Sequence, residues 1–123
     1  MLRRTVLYVG LDPVLVDFSA MPDLDAEKVN AGIRADVARM AEHGYDAVWF
    51  PVDRGETAAG ELSAELSSRA YDAVVIGAGI RALPAHLLLF EQLVNVIHEK
   101  APTAKLCFNT RPTDTLEAVR RWV

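Results

Sequence analysis

Eleven residues of this chain are of a type, and stand at a position, from which a small anionic molecule could be held or transformed. They are Gly10, Asp12, Asp53, Arg54, Gly77, Gly79, Arg81, His86, Asn109, Thr110 and Arg111. Three of them are arginines, whose planar donor fork can grip a phosphate or carboxylate at two points. The glycines would let the backbone come close to such a group. If proton transfer takes place, His86 is the expected general acid or base, with Asp12 or Asp53 to orient it. A plainer reading fits the same residues: polar side chains collect at strand ends, arginines pair with aspartates, and His86 lies on a surface or an interface. No two histidines have metal-ligand spacing. Asp12 and Asp53 could hold a cation only by converging among arginines, so neither a metal nor a cofactor is expected.

Each of these residues follows or precedes an apolar run, and the runs define the elements that must position them. Strands are predicted over 5–9, 45–51, 73–77 and 104–108, the third so apolar that both its faces must be buried. The first helix starts at Asp23 or Asp25, carries Val29, Ile33, Val37 and Met40 as one stripe, and ends at His43-Gly44. A second, over 57–68, turns Ala58, Leu62 and Leu66 inward and is expected near an edge. A third runs from Pro84 to Lys100. The last begins with Asp114-x-x-Glu117 as a reciprocal capping box, buries Leu116, Val119 and Val123, and uses Trp122 as an anchor. Between the first strand and helix lies a long connection, 11–24, whose apolar residues 14–18 suit either a short strand or a flap.

Strand and helix alternate four times, and right-handed crossovers make this an α/β three-layer sandwich: one domain with a four-stranded parallel sheet. The order 2-1-3-4 puts the most apolar strand inside and the proline-ended strand at an edge; 3-2-1-4 is the alternative. This is a flavodoxin-like, Rossmann-like arrangement. Its ligands bind beyond the carboxyl ends of the strands, where the chain order reverses. For 2-1-3-4 that point lies between strands one and three, which gathers the eleven residues on one rim.

The third helix has an apolar surplus. Leu83, Leu87, Phe90, Val94 and Ile97 form one stripe, Leu89, Leu93 and Val96 a second, and Leu88 widens the face. A helix lying on a sheet needs only one stripe, so a homodimer through residues 83–100 is expected, unless the flap or the last helix covers the excess. With 123 residues, 51% apolar and a net charge of −4, the chain has no broad attraction for nucleic acid or anionic lipid. No apolar run is long enough to span a membrane. The basic and apolar start, 1–9, reads as a first strand and not a secretion signal. Cys107 reads as a small buried hydrophobe, and the expected compartment is a reducing cytoplasm. His43 and His98, at helix C-terminal ends, are expected to cap carbonyls.

Gly77-x-Gly79-x-x-Ala82 after a buried strand is similar to a dinucleotide-binding fingerprint. It sits on the third strand, though, and no acidic residue ends the next one. A turn needing glycine dihedrals and close helix packing explains the glycines as well. The element order, with Tyr-Asp-Ala-Val-Val-Ile at 71–76, resembles the receiver domains of bacterial response regulators. The resemblance implies the same fold, an acidic site at the end of strand one, where Asp12 stands, and a hydroxyl after strand four, where Thr110 stands. The position of the family's phosphorylated aspartate matches Gly77 or Ala78, so phosphotransfer does not carry over. The expected function is a small homodimeric ligand-binding or interaction domain with an anion site at the rim. The alternative is a small cytoplasmic enzyme acting on a phosphate- or carboxylate-bearing metabolite.

Overall fold

The computed structural model describes residues 3–123. Met1 and Leu2, part of the apolar start read as leading into strand one, lie outside the described residues. The strands β1 (Arg4–Leu11), β2 (Tyr45–Val52), β3 (Ala73–Ile76) and β4 (Lys105–Phe108) form one parallel sheet in the order β2-β1-β3-β4. β3 is the driest strand, with all four residues buried, and it stands inside the sheet, where its composition requires it to be. β2 is an edge strand and tolerates Pro51 for that reason. β1 runs two residues beyond its predicted end because β2 offers partners there, Gly10 opposite Pro51 and Leu11 opposite Val52.

Helices cover both faces. α1 (Ala26–Glu42) and α5 (Thr115–Arg120) enclose a core of Val6, Tyr8, Ile33, Met40, Val75, Leu116 and Val119. α2 (Ala58–Ser68) and α4 (Leu87–Lys100) lie on the opposite face over Leu7, Val9, Leu62, Val74, Ile76, Leu93 and Ile97. One further turn of helix, α3 (Ala78–Arg81), follows β3 directly, and a 3-10 turn, Pro84–His86, leads into α4. α1 is capped by Asp25, whose carboxylate accepts from Lys28 N at 2.8 Å. It ends at Gly44, whose φ of 92° lies in the left-handed region. His43 Nδ1 meets the Arg39 carbonyl at 2.9 Å, the C-terminal capping expected of it.

Two expectations are corrected, and of the two alternatives for residues 14–18 the strand is excluded. The box at 114–117 does not form: the Asp114 carboxylate accepts from Thr110 N (3.0 Å) and Arg111 N (3.2 Å), and Glu117 pairs instead with Arg39 at 2.6 Å. Trp122 is no anchor, being 62% exposed; the chain end is held by Leu116 and Val119 and by the Tyr45 hydroxyl, which donates to Val123 O at 3.0 Å. Residues 14–18 form no strand. A 3-10 turn, Pro13–Leu15, starts the connection, and only Leu15 and Val16 rest on the core while Val14 faces solvent.

Most of the α4 surplus is absorbed within the chain. Leu89, Leu93 and Ile97 are buried, Phe90, Val94 and Val96 pack on the same core, and Phe90 meets Phe108 edge-on at 5.9 Å. The exposed excess is confined to the approach and first turn: Leu83, Leu87 and, at 75% exposure, Leu88.

Candidate functional site at the carboxyl end of the sheet

The point of order reversal lies between β1 and β3, and the loops after these strands and after β4 bring most of the predicted site residues to that end. Several carboxylates are already committed there to backbone amides. Asp12 accepts from Val14 N at 3.1 Å and so caps the 3-10 turn. Asp53 accepts from the Thr57 hydroxyl (2.5 Å) and from Gly55 N, Thr57 N and Ala58 N at 2.9–3.1 Å, which closes the turn into α2. The Thr57 hydroxyl, ahead of the amides, holds the Asp53 carboxyl below its ordinary range. Arg54 donates to the Leu15 carbonyl and ties the 11–24 connection down. Thr110 donates its hydroxyl to Asp114; burial raises the Asp114 carboxyl, but the bonds from Thr110 and Arg111 outweigh it and keep that carboxyl low.

The glycines divide by purpose. A Cβ at Gly10 would lie 2.5 Å from Cη2 of Trp49, so the indole ring occupies the space a side chain would need. Trp49 also meets Tyr8 edge-on at 5.1 Å. Gly77 and Gly79 do not have positive φ, which among the described glycines is confined to Gly44 and Gly55. The turn therefore does not rest on glycine dihedrals. The space over Gly79 is open, with no atom within 4 Å of a Cβ placed there.

Arg81, Asn109 and His86 are brought together around this turn. Arg81 Nη2 donates to the Asn109 carbonyl at 2.9 Å, and Asn109 Oδ1 accepts from Ala78 N at 2.9 Å. His86 Nδ1 lies 3.2 Å from the Gly79 carbonyl. Among the described residues, Arg81 Nε is a buried side-chain donor without a hydrogen-bond partner. Arg111 is exposed beside Asp114, so its guanidinium is accessible at the same end.

Behind Asn109 lies a buried polar cluster that the sequence reading missed. Asn109 Nδ2 donates to the Thr115 hydroxyl (2.9 Å) and to Tyr8 Oη (3.3 Å), and the Thr115 hydroxyl donates to Asp36 Oδ2 at 2.5 Å. Thr115 is fully buried and Asp36 is 5% exposed. Burial raises the Asp36 carboxyl, against the pull of the Thr115 hydrogen bond, and burial also raises the Tyr8 phenol. The signal was present in the spacing: Asp36 falls three residues after Ile33 and four before Met40, on the apolar stripe itself. Cys107, by contrast, is the buried thiol expected of it, pushed up to about 11 by desolvation.

Away from the rim, a shallow groove of about 490 Å³ runs between α1 and the β2 edge, lined by Asn30, Ile33, Arg34, Val37, Ala38, Ala41 and Trp49. Among the described residues no helix is long and apolar enough to cross a membrane. The chain matches no protein-family model, and no curated protein sequence shows significant similarity to it.

Proposed function

We propose that this chain is a small ligand-binding or interaction domain that holds an anionic group at the carboxyl end of its sheet, beside Arg81. The observation that carries the reading is the buried, unpartnered Nε–H of Arg81, next to the point where the strand order reverses. A buried donor without an acceptor costs about 1–3 kcal/mol, and an oxyanion would supply that acceptor. The guanidinium is held by the Asn109 carbonyl, so little ordering remains to be done on binding. The space over Gly79, two residues before Arg81, is open. Titration with inorganic sulfate, followed at the Arg81 Nε–H resonance, tests it. Saturable binding that is lost in Arg81→Gln is expected; a shift that never saturates, or binding that survives the substitution, refutes the site.

Self-association belongs to the same proposal. Leu83, Leu87 and Leu88 form the exposed end of an otherwise buried helix face, and a second copy placed there would cover them. The contact is smaller than the whole of residues 83–100, because the rest of that face is used internally. A cytoplasmic setting suits a domain with one reduced, buried cysteine.

A second reading, a small enzyme acting on a phosphate- or carboxylate-bearing metabolite, is favoured by one contact. His86 Nδ1–H donating to Gly79 O leaves Nε2 as the basic nitrogen of an imidazole fixed beside the rim. Turnover abolished by His86→Gln while sulfate binding persists would select it.

A further inference from the structure

Asn109 belongs to two hydrogen-bonded systems at once. Toward the rim its Oδ1 holds Ala78 N and its carbonyl holds Arg81, while into the core its Nδ2 holds Thr115 and Tyr8. Thr115 in turn is bonded to Asp36. A continuous path therefore runs from a buried carboxylate on α1, across α5, to the turn that carries Arg81. We propose that Asn109 is a positioning residue for the rim, and that the Asp36–Thr115 pair behind it makes the posture of the turn at 77–81, and with it anion binding, depend on whether Asp36 carries a proton. The binding half of this statement rests on the anion site proposed above; the coupling half does not.

The hydrogen inventory explains the coupling. With Asp36 ionised, the Thr115 hydroxyl gives its hydrogen to the carboxylate at 2.5 Å and turns lone pairs toward Asn109 Nδ2 and the Tyr8 hydroxyl. When a proton from solvent reaches Asp36, the acid becomes the donor in that short contact. The Thr115 hydrogen then turns toward the Tyr8 hydroxyl, 3.4 Å away, and competes there with Asn109 Nδ2, which donates to the same oxygen at 3.3 Å. Asn109 loses part of its hold on the core side, and the Ala78 and Arg81 contacts loosen with it. Buried networks of this kind respond as a unit because hydrogen bonds in a low-dielectric interior polarise one another.

The ionisable neighbours of Asp36 are Tyr8 on β1, Arg39 on its own helix, and Asp114 and Glu117 from the α5 side. Arg39 and Glu117 are paired with each other, and Asp114 is engaged by Thr110 and Arg111. Asp36 is raised and Asp114 held low from the same ordinary value, so as pH falls Asp36 takes up its proton before Asp114.

The test is a pH series of amide and arginine spectra on the whole chain, followed by sulfate titrations at the two ends of the series. Sulfate keeps its charge throughout the range and adds no titration of its own. The Ala78 amide and the Arg81 Nε–H are expected to shift together, with one inflection above the usual aspartate range. That inflection should vanish in Asp36→Asn and in Thr115→Val and persist in Thr115→Ser, which keeps the hydroxyl. Sulfate affinity should fall about fivefold from the ionised to the protonated end in the parent chain, and stay level in Asp36→Asn. An inflection unchanged in Asp36→Asn, or none at Ala78 in the parent, overturns the coupling. A normal inflection with no sulfate binding at either end leaves the coupling standing, refutes the proposed anion site, and removes the binding half of the inference.

Discussion

The two faces of the sheet are built from alternate residues of the same strands, yet they are different materials. Leu7 and Val9 of β1 point into a core of aliphatic side chains under α2 and α4, where Tyr71 sends its hydroxyl out to Glu65 at 2.5 Å. Val6 and Tyr8, one residue out of step, point into a core under α1 and α5 with Asp36, Asn109 and Thr115 joined at its upper end. The first face holds the chain together through apolar area removed from water. The second gives up part of that gain to bury polar groups that must all remain satisfied. The second face meets the rim turn through the hydrogen bonds of Asn109, the first through the buried side chain of Ile80. The proposed coupling puts responsiveness on the side of the sheet opposite the purely apolar core.

Substitutions on the two faces should separate these roles. The largest loss is expected on the apolar face: Leu93→Ala, at a fully buried position, should cost about 3 kcal/mol in denaturant unfolding without changing the pH response of the rim. Thr115→Val should cost about 2 kcal/mol, because Asp36 stays buried without its donor, and it should also silence the Ala78 titration. If both variants altered the rim alike, the division between the faces would fail. Gly10→Ala should cost about 1 kcal/mol and displace the Trp49 ring, seen as a change in its emission; replacing Trp49 with Leu in the same chain should recover most of that loss. Asp36→Asn sharpens the contrast through pH. A carboxyl raised in the folded state contributes stability that is present below its unfolded pKa and lost as pH rises through its folded one. The variant should therefore lack the extra acid-side stability of the parent, as followed by thermal melts across that range. The smallest effect on folding is expected from Leu88→Ser, within about 0.5 kcal/mol; its reading is sedimentation, where any dimer should weaken.

The strand order was legible because one run, residues 73–76, is too apolar for an edge and another contains a proline that needs one. Strand ends were less so: β1 continues through Gly10 and Leu11 because of what β2 places beside them, which local composition does not carry. Asp114 was expected to bond forward and bonds backward, since Thr110 and Arg111 offer amides that the loop brings within reach. The leucines and valines of α4 were counted correctly, but how many a single chain can cover depends on Phe108 and on the shape of the core under α2. At the rim, sequence could name the arginines and aspartates but not which were already committed. Asp53 and Arg54 serve the chain's own turns, and Arg81 alone among them retains a buried donor in need of an acceptor. Asp36 was overlooked because one charge on an apolar stripe is readily assigned to the solvent side.

The outer edge of β2 carries one last consequence. Eight residues of unshielded backbone would ordinarily invite a neighbouring chain to add a strand and begin a fibril. Here the Asp46–Arg3 pair stands near one end, and Pro51, which has no N–H to offer, stands near the other. An incoming strand would meet charge where it started to dock and a missing rung where it tried to finish. The residue that fixes β2 at the margin of the sheet also keeps that margin from growing, and Pro51→Val would turn a terminated edge into an aggregation template.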